Sequence, residues 1–235
     1  MRIQHPGRKL LVVSLLVVGG YLAFEVLTFP RVEDLVRTNP TNTAWMELRS
    51  AEARAKGRKP RRVQIWVPLN SISANLKNAV LIAEDAAFFQ HEGLDYNEIR
   101  EAIKINAEKL EFARGASTIT QQLAKNLYLS PSKNPLRKLK ELALTFSLES
   151  HLSKKRIFEI YLNVIEWGDG VYGAEAATRN YFGKSCSSLS EEEAAALAAV
   201  IINPRRYSPI DPGKRIRNRI ELILARMQRY RYYKN

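Results

Sequence analysis

The segment AEDAAFFQHEG, residues 83 to 93, sets Glu84 and Asp85 side by side between the apolar run AVLIA and two phenylalanines. A carboxylate in apolar company is costly to desolvate unless it is paired or used. The same surroundings raise its pKa toward the range of a general base. On a helix, Leu76, Val80, Glu84 and Phe88 form one stripe, and Asp85 sits about 100° round, between Leu81 and Phe89. Because AVLIA is apolar on every side, the spacing prefers Glu84 only slightly, and a carboxylate simply paired in the core stays open. A second stretch, RGASTITQQLAKN (114–126), leads hydroxyls into a helix bearing Gln121, Gln122, Lys125 and Asn126. A helix start with Ser117 and Thr118 suits an anion. An ordinary capped amphipathic helix would also account for Ser117, though not for the glutamine pair. In a third, SKNPLRKLKE (132–141), Lys133, Arg137, Lys138 and Lys140 precede Glu141. Cations around one carboxylate suit a diphosphate, with or without a bridging metal. Standing alone, the segment also reads as a solvated charged face with an Arg137–Glu141 pair.

The elements that must position these residues are mostly helical. Ser73 caps a helix through LKNAVLIAEDAAFF, with Gly93 just past its end. YNEIREAIKINAEKL follows, then ITQQLAKNLYL, opened by Gly115, Ser117 and Thr118. Pro135 introduces LRKLKELALTFSLES, and Ser153 caps KKRIFEIYLNV. Beyond the glycines of EWGDG, VYGAEAATRNYF runs to Gly183, and a capping box of Ser190 and Glu193 opens EEEAAALAAVII. A basic amphipathic helix, GKRIRNRIELILARMQRY, closes the chain. VQIWV is the only strand-like stretch, so the expected class is a mainly α domain of many short helices.

Composition narrows the partners. With 46% apolar residues the chain can bury a core, and a formal charge of +13 asks for an anionic partner. Nucleic acid, an anionic membrane surface and a phosphorylated substrate all fit that charge. The single cysteine, Cys186, excludes an intrachain disulfide and a cysteine-built metal site. His5, His91 and His151 are not spaced as ligands for zinc, whereas an oxygen-liganded ion such as Mg2+ needs only carboxylates and phosphate. Ser130 to Lys133 spells S-x-x-K, but no K-T-G follows, and the match reads as coincidence.

At the N-terminus, basic MRIQHPGRK precedes LLVVSLLVVGGYLAFEVLTF, uncharged from Leu10 to Phe24 and broken by Glu25. That is about the length a membrane-spanning helix needs, and no small-residue cleavage site follows it. The expected organisation is a cytoplasmic tail at 1–9, a transmembrane anchor at 10–29, a linker at 30–62 and the domain at 63–235. Arg2, Arg8 and Lys9 favour a cytoplasmic N-terminus with the domain outside. Residues 49–62 (RSAEARAKGRKPRR) complicate that topology, with seven basic residues against one acidic. The last 33 residues carry ten basic against two acidic, which suits a membrane-facing surface or a solvated amphipathic helix.

Taken together, these segments resemble the peptidoglycan glycosyltransferases of glycosyltransferase family 51, which have a lysozyme-like fold and polymerise lipid II. EDAAFFQHEG is similar to the family's first motif, GASTITQQLAKNLYL to its second and RKLKE to its third. KKRIFEIYLNVIEWGDGVYGAEAATRNYFGK resembles the fourth and EAAALAAVIINPRRYSP the fifth. The match runs in order from about residue 66 to 210. With no transpeptidase domain following, the chain resembles the monofunctional biosynthetic branch, anchored in the bacterial inner membrane with its domain periplasmic or extracellular.

The resemblance implies roles residue by residue. Glu84 would deprotonate the acceptor sugar 4-hydroxyl, which attacks the anomeric carbon of the growing chain and displaces undecaprenyl diphosphate with inversion. Ser117, Lys125, Lys133 and Arg137 would hold the diphosphate; Lys at 133 keeps the charge but lacks the bidentate geometry of an arginine. Glu141 would be the second working carboxylate, toward the donor phosphates or a metal ion. Asp85, Phe88, His91, Gln121 and Gln122 would support the cleft. No cofactor is obligatory, with Mg2+ or Mn2+ compatible. Expected partners are lipid II, the nascent glycan, the membrane and other cell-wall synthesis proteins, not nucleic acid. The alternative is a glycan-cleaving muramidase, which has no use for the diphosphate cations.

Overall fold

The computed structural model describes residues 6–109, 115–130 and 136–232. The chain divides into two compact units, Met1–Val32 and Glu33–Asn235. The first is built on helix α1 (Pro6–Leu27), which contains the apolar N-terminal run and exposes Val12, Val13, Leu15, Leu16, Val17 and Phe24. Among the described residues no helix is long and apolar enough to cross a membrane. The spanning segment expected at 10–29 is therefore seen as a helix but not as a span, and Arg8, Lys9 and Glu25 fall within its length. Residues 1–5 of the expected cytoplasmic tail lie outside the described residues.

In the second unit, α2 (Ala44–Ala55) starts where the Thr43 hydroxyl accepts from the Met46 N–H at 3.1 Å. This helix lies inside the stretch expected as a linker. Its Trp45 and Arg49 donate to the buried carboxylate of Glu166 at 3.1 and 3.0 Å, and Met46 is buried. Strand β1 (Val63–Gln64) follows, then α3 (Ala74–Glu84), capped by Ser73 as its position predicts. The helix ends at Glu84, short of the expected run into FF. Asp85 leaves the helix in an extended conformation because its side chain is taken up elsewhere, by His91 and the Ile119 N–H. Phe88 sits in a separate short turn, Phe88–Gln90, not on the α3 stripe.

Beyond Gly93, α4 (Tyr96–Lys109) begins with Asp95 accepting the N–H groups of Asn97 and Glu98, both at 2.9 Å. Helices α5 (Ile119–Tyr128), α6 (Leu136–His151) and α7 (Lys154–Val164) come next. The glycines of EWGDG, expected to precede a helix starting at VY, instead lie in a hairpin of strands β2 (Glu166–Gly168) and β3 (Val171–Tyr172), and the helix starts only at Ala174. Strand β3 also pairs parallel with β1, giving the order β1-β3-β2. Gly170 makes the hairpin tight: its φ is +70°, and a Cβ there would lie 2.4 Å from the Arg61 carbonyl oxygen. Helices α8 (Ala174–Phe182), α9 (Glu191–Val200) and α10 (Lys214–Tyr232) complete the unit. The class is mainly α with one small sheet.

Two helix groups build the core. Helix α9 packs against α3 and α10, and α5 packs against α6, α7 and α2. Helix α9 is buried throughout from Ala194 to Val200, where five of the seven residues are alanine and the side chains are correspondingly small. Trp167, Tyr161, Tyr172, Phe88 and Phe158 are fully buried, each worth about 1.5–3 kcal/mol of apolar transfer. The closing basic helix α10 is docked rather than free: Ile216, Ile223 and Met227 are buried, while Arg215, Arg217, Arg226 and Arg229 stay exposed.

Candidate active site

The end of α3 presents Glu84 to α5 and α10. Its Oε2 accepts from Gln122 Nε2 at 2.9 Å, and its Oε1 from Arg219 Nη2 at 3.0 Å. Arg219 also donates to the Ala83 carbonyl at 3.2 Å, which ties it to the last turn of α3. Its Nε is buried with no hydrogen-bond partner among the described residues. Burial drives the Glu84 carboxyl above the usual carboxylate range; Gln122, Arg219 and Lys125 pull against that rise without cancelling it. A carboxylate so poised takes up a proton more readily than an exposed one, the property a general base needs.

Gln122 is itself held from behind. The Tyr161 hydroxyl on α7 donates to its Oε1 at 2.9 Å, and Asn126 donates to its carbonyl at 2.8 Å. Gln121, the neighbouring residue, turns the other way. Its side-chain oxygen accepts the Thr118 N–H while the Thr118 hydroxyl accepts the Gln121 N–H, a capping box at the start of α5. The cap is therefore Thr118, and capping accounts for Gln121 but not for Gln122. Ser117, one residue earlier, is exposed.

Asp85 and Glu84 separate because the helix stops between them. Asp85 is buried, with His91 Nε2 at 3.0 Å from Oδ1 and the Ile119 N–H at 3.0 Å from Oδ2. It thus pins the loop of His91 to the first residue of α5. The Thr118 hydroxyl donates to the Gly93 carbonyl at 2.7 Å and closes the same corner. Gly93 has a φ of +90°, and a Cβ there would press on Thr145 of α6 at 2.8 Å. Phe88 fills the space beneath, its ring centre 5.7 Å from that of Phe158, with the Lys154 ammonium 4.4 Å from the Phe88 centroid.

The second acidic residue lies on α6. Glu141 is 4% exposed; Lys138 donates to Oε1, and Arg137 Nη1 lies 3.3 Å from Oε2. Lys125 on α5 faces this group and makes no side-chain hydrogen bond or salt bridge to another described residue. Burial lowers its pKa; Glu141 and Glu84 oppose the fall, while Arg137 and Lys138 add to it. Lys125 therefore feels both carboxylates. Lys133 lies outside the described residues. Among the described residues, no group of three or more His, Cys, Asp or Glu side chains is placed to hold a metal ion.

The family pattern described as transglycosylase matches residues 51–228. The chain belongs to the transglycosylase family. The biosynthetic peptidoglycan transglycosylase of Dechloromonas aromatica (strain RCB) is 45% identical over 227 residues, 97% of each chain. Its namesake in Nitrosospira multiformis is 48% identical over 189 residues, 80% of this chain and 82% of the relative. That of Aromatoleum aromaticum is 43% identical over 225 residues, 96% of both. The matched span reaches α10 and so includes Arg219. Sequence reasoning about this transglycosylase missed both Arg219 and Tyr161. Arg219 left a signal: it falls three residues after Ile216 and four before Ile223, a cation on the buried seam of α10. Tyr161 left none, since a tyrosine beside Ile157, Phe158, Ile160 and Leu162 reads as ordinary core.

Proposed function

We propose that this transglycosylase polymerises lipid II into the glycan strands of peptidoglycan, with Glu84 as the general base. One observation carries the proposal. The poised carboxylate of Glu84 and the cationic group of Lys125, Arg137 and Lys138 are joined through α5, which carries Gln122 and, three residues on, Lys125. Hydroxyl attack on a sugar diphosphate needs a base at the acceptor and positive charge at the leaving group. Glu84 takes the proton of the acceptor 4-hydroxyl as that oxygen bonds to the anomeric carbon of the growing chain. The bond from that carbon to the diphosphate breaks, and its electron pair leaves on undecaprenyl diphosphate, with inversion. Lys125 and Arg137 meet that charge, with Lys133 and Ser117 as further diphosphate contacts. Lys125, with a depressed pKa and no side-chain hydrogen bond or salt bridge among the described residues, can turn to a phosphate. Asp85, Phe88, His91 and Gln121 hold the frame around the base.

Glu141 keeps Arg137 and Lys138 in place. As one carboxylate already engaged by two cations, it does not by itself fit a protein-held divalent cation; Mg2+ or Mn2+ would have to be shared with substrate phosphates. The helical domain is read as lysozyme-like, and residues 10–29 as a single-pass anchor with the domain outside the cytoplasm. The uncharged run from Leu10 to Phe24 and the exposed apolar side chains of α1 support that anchor. Incubation with purified lipid II tests the whole reading. Glycan polymer is the expected product, whereas shortening of preformed glycan without polymer would replace the synthase with a muramidase.

A further inference from the structure

The bond between Tyr161 and Gln122 has no place in the chemistry above, although it lies directly behind the candidate base. Tyr161 is fully buried on α7, and its hydroxyl donates to Gln122 Oε1 at 2.9 Å. Gln122 Nε2 in turn donates to Glu84 Oε2 at 2.9 Å. A carboxylate only accepts, so the amide must face it with its NH2 end, and the amide oxygen then needs a donor. Tyr161 is that donor. Burial, with Glu84 and Asp85 adding to it and Arg219 opposing, pushes the phenol well above its ordinary pKa, so it stays a neutral hydroxyl.

We propose that Tyr161 is a positioning residue for the Glu84 base, acting through the Gln122 amide and letting the chain follow Glu84 through its proton cycle. When Glu84 is ionised, hydrogen bonds run from Tyr161 to Gln122 to Glu84. When Glu84 has taken the acceptor proton, its O–H needs an acceptor. Half a turn of the amide supplies Oε1 to Glu84 and NH2 to the phenol oxygen, so both bonds reverse; the Tyr161 O–H gives up its acceptor, which favours the arrangement with Glu84 ionised. A direct carboxylate–cation pair has no such second arrangement. The inference rests on the reading of Glu84 as base.

The charged groups around Glu84 are Arg219 from α10 and Lys125 from α5, with Tyr161 from α7 behind Gln122. Helix α9, also packed on α3, buries Ala194 to Val200 and carries its carboxylates Glu191, Glu192 and Glu193 in the first turn. Tyr161 polarises the amide that bonds the ionised carboxylate. Its loss weakens that bond, favours the protonated form and moves the acidic limit of kcat to higher pH.

The test is steady-state polymerisation of lipid II across pH by Tyr161→Phe, Gln122→Leu, the double variant and Glu84→Gln. Tyr161→Phe is expected to lower kcat about three- to tenfold with KM within about twofold, and to raise the acidic limit. Gln122→Leu should do the same more strongly, and the double variant should be no worse than Gln122→Leu alone. An unmoved pH profile in Tyr161→Phe, or multiplicative losses in the double variant, overturns the proposal. Should the phenylalanine variant not fold, 3-fluorotyrosine at position 161 keeps the shape and strengthens the donor. It should shift the acidic limit to lower pH, and no shift overturns the proposal equally. An active Glu84→Gln removes the base reading and the relay with it; an inactive one beside an unchanged Tyr161→Phe removes the relay alone.

Discussion

Two partly or fully buried glutamates, Glu84 at the end of α3 and Glu141 within α6, differ in how their charge is met. Glu141 is matched by its own helix, with Lys138 and Arg137 three and four residues before it. Glu84 has no cation on α3 within reach. Its two oxygens are held by a neutral amide from α5 and an arginine from α10, far apart in sequence. A locally matched carboxylate arrays the cations beside it. A carboxylate held by a neutral donor and one distant cation keeps the energetic cost of burial, and that cost appears as a raised pKa. The proposed mechanism uses that contrast, with proton transfer at Glu84 and charge arrangement at Glu141.

Breaking each side of the comparison should have unequal effects. Glu84→Gln should reduce lipid II polymerisation by about a thousandfold or more with an intact circular dichroism spectrum, because an amide cannot take the proton. Lys125→Met should lower kcat by roughly a hundredfold, as the leaving group loses a positioned cation. Single-turnover measurements locate both losses in the chemical step. Arg219→Met should lower kcat by roughly tenfold through a misplaced base. It should also raise the acidic limit of the pH profile, since Arg219 favours the ionised form.

The adjacent glutamines sharpen the same point. Gln121→Ala should lower stability by about 1 kcal/mol through the lost capping box while leaving the pH profile in place. Gln122→Ala should move the profile, and thermal melts beside kinetics separate the two. The smallest effect concerns stability alone. Because the Glu84 pKa is raised in the folded state, its ionised form destabilises the fold at neutral pH. That penalty fades as pH falls through the raised value toward the ordinary carboxylate range. Glu84→Gln should therefore raise Tm at neutral pH, with the gain shrinking on acidification.

Much of this site was legible in the chain. Ser73, Ser153 and the Ser190–Glu193 box cap the helices their positions predict, because a cap is a contact within four residues. The cation–carboxylate group of α6 was visible for the same reason. The helical stripe through Glu84 and Phe88 was misleading, since the helix stops at Glu84 once Asp85 bonds His91 and α5. Nothing local to AEDAAFF announces partners at His91 and Ile119. The hairpin at EWGDGVY was hidden likewise, because its strands are only three and two residues long and β3 is also held by pairing with the distant β1.

The sequence alone determined which chemical groups exist, which helices carry them and which cations stand beside Glu141, all matters of spacing within a few turns. Whether Glu84 or Asp85 would be the poised carboxylate was decided by tertiary structure. Desolvation, the Tyr161–Gln122 bond and the reach of Arg219 from α10 arise only when segments 38 to 135 residues apart are packed together. Burial sets the pKa of a carboxyl group, and burial belongs to the assembled helices rather than to any stretch of chain.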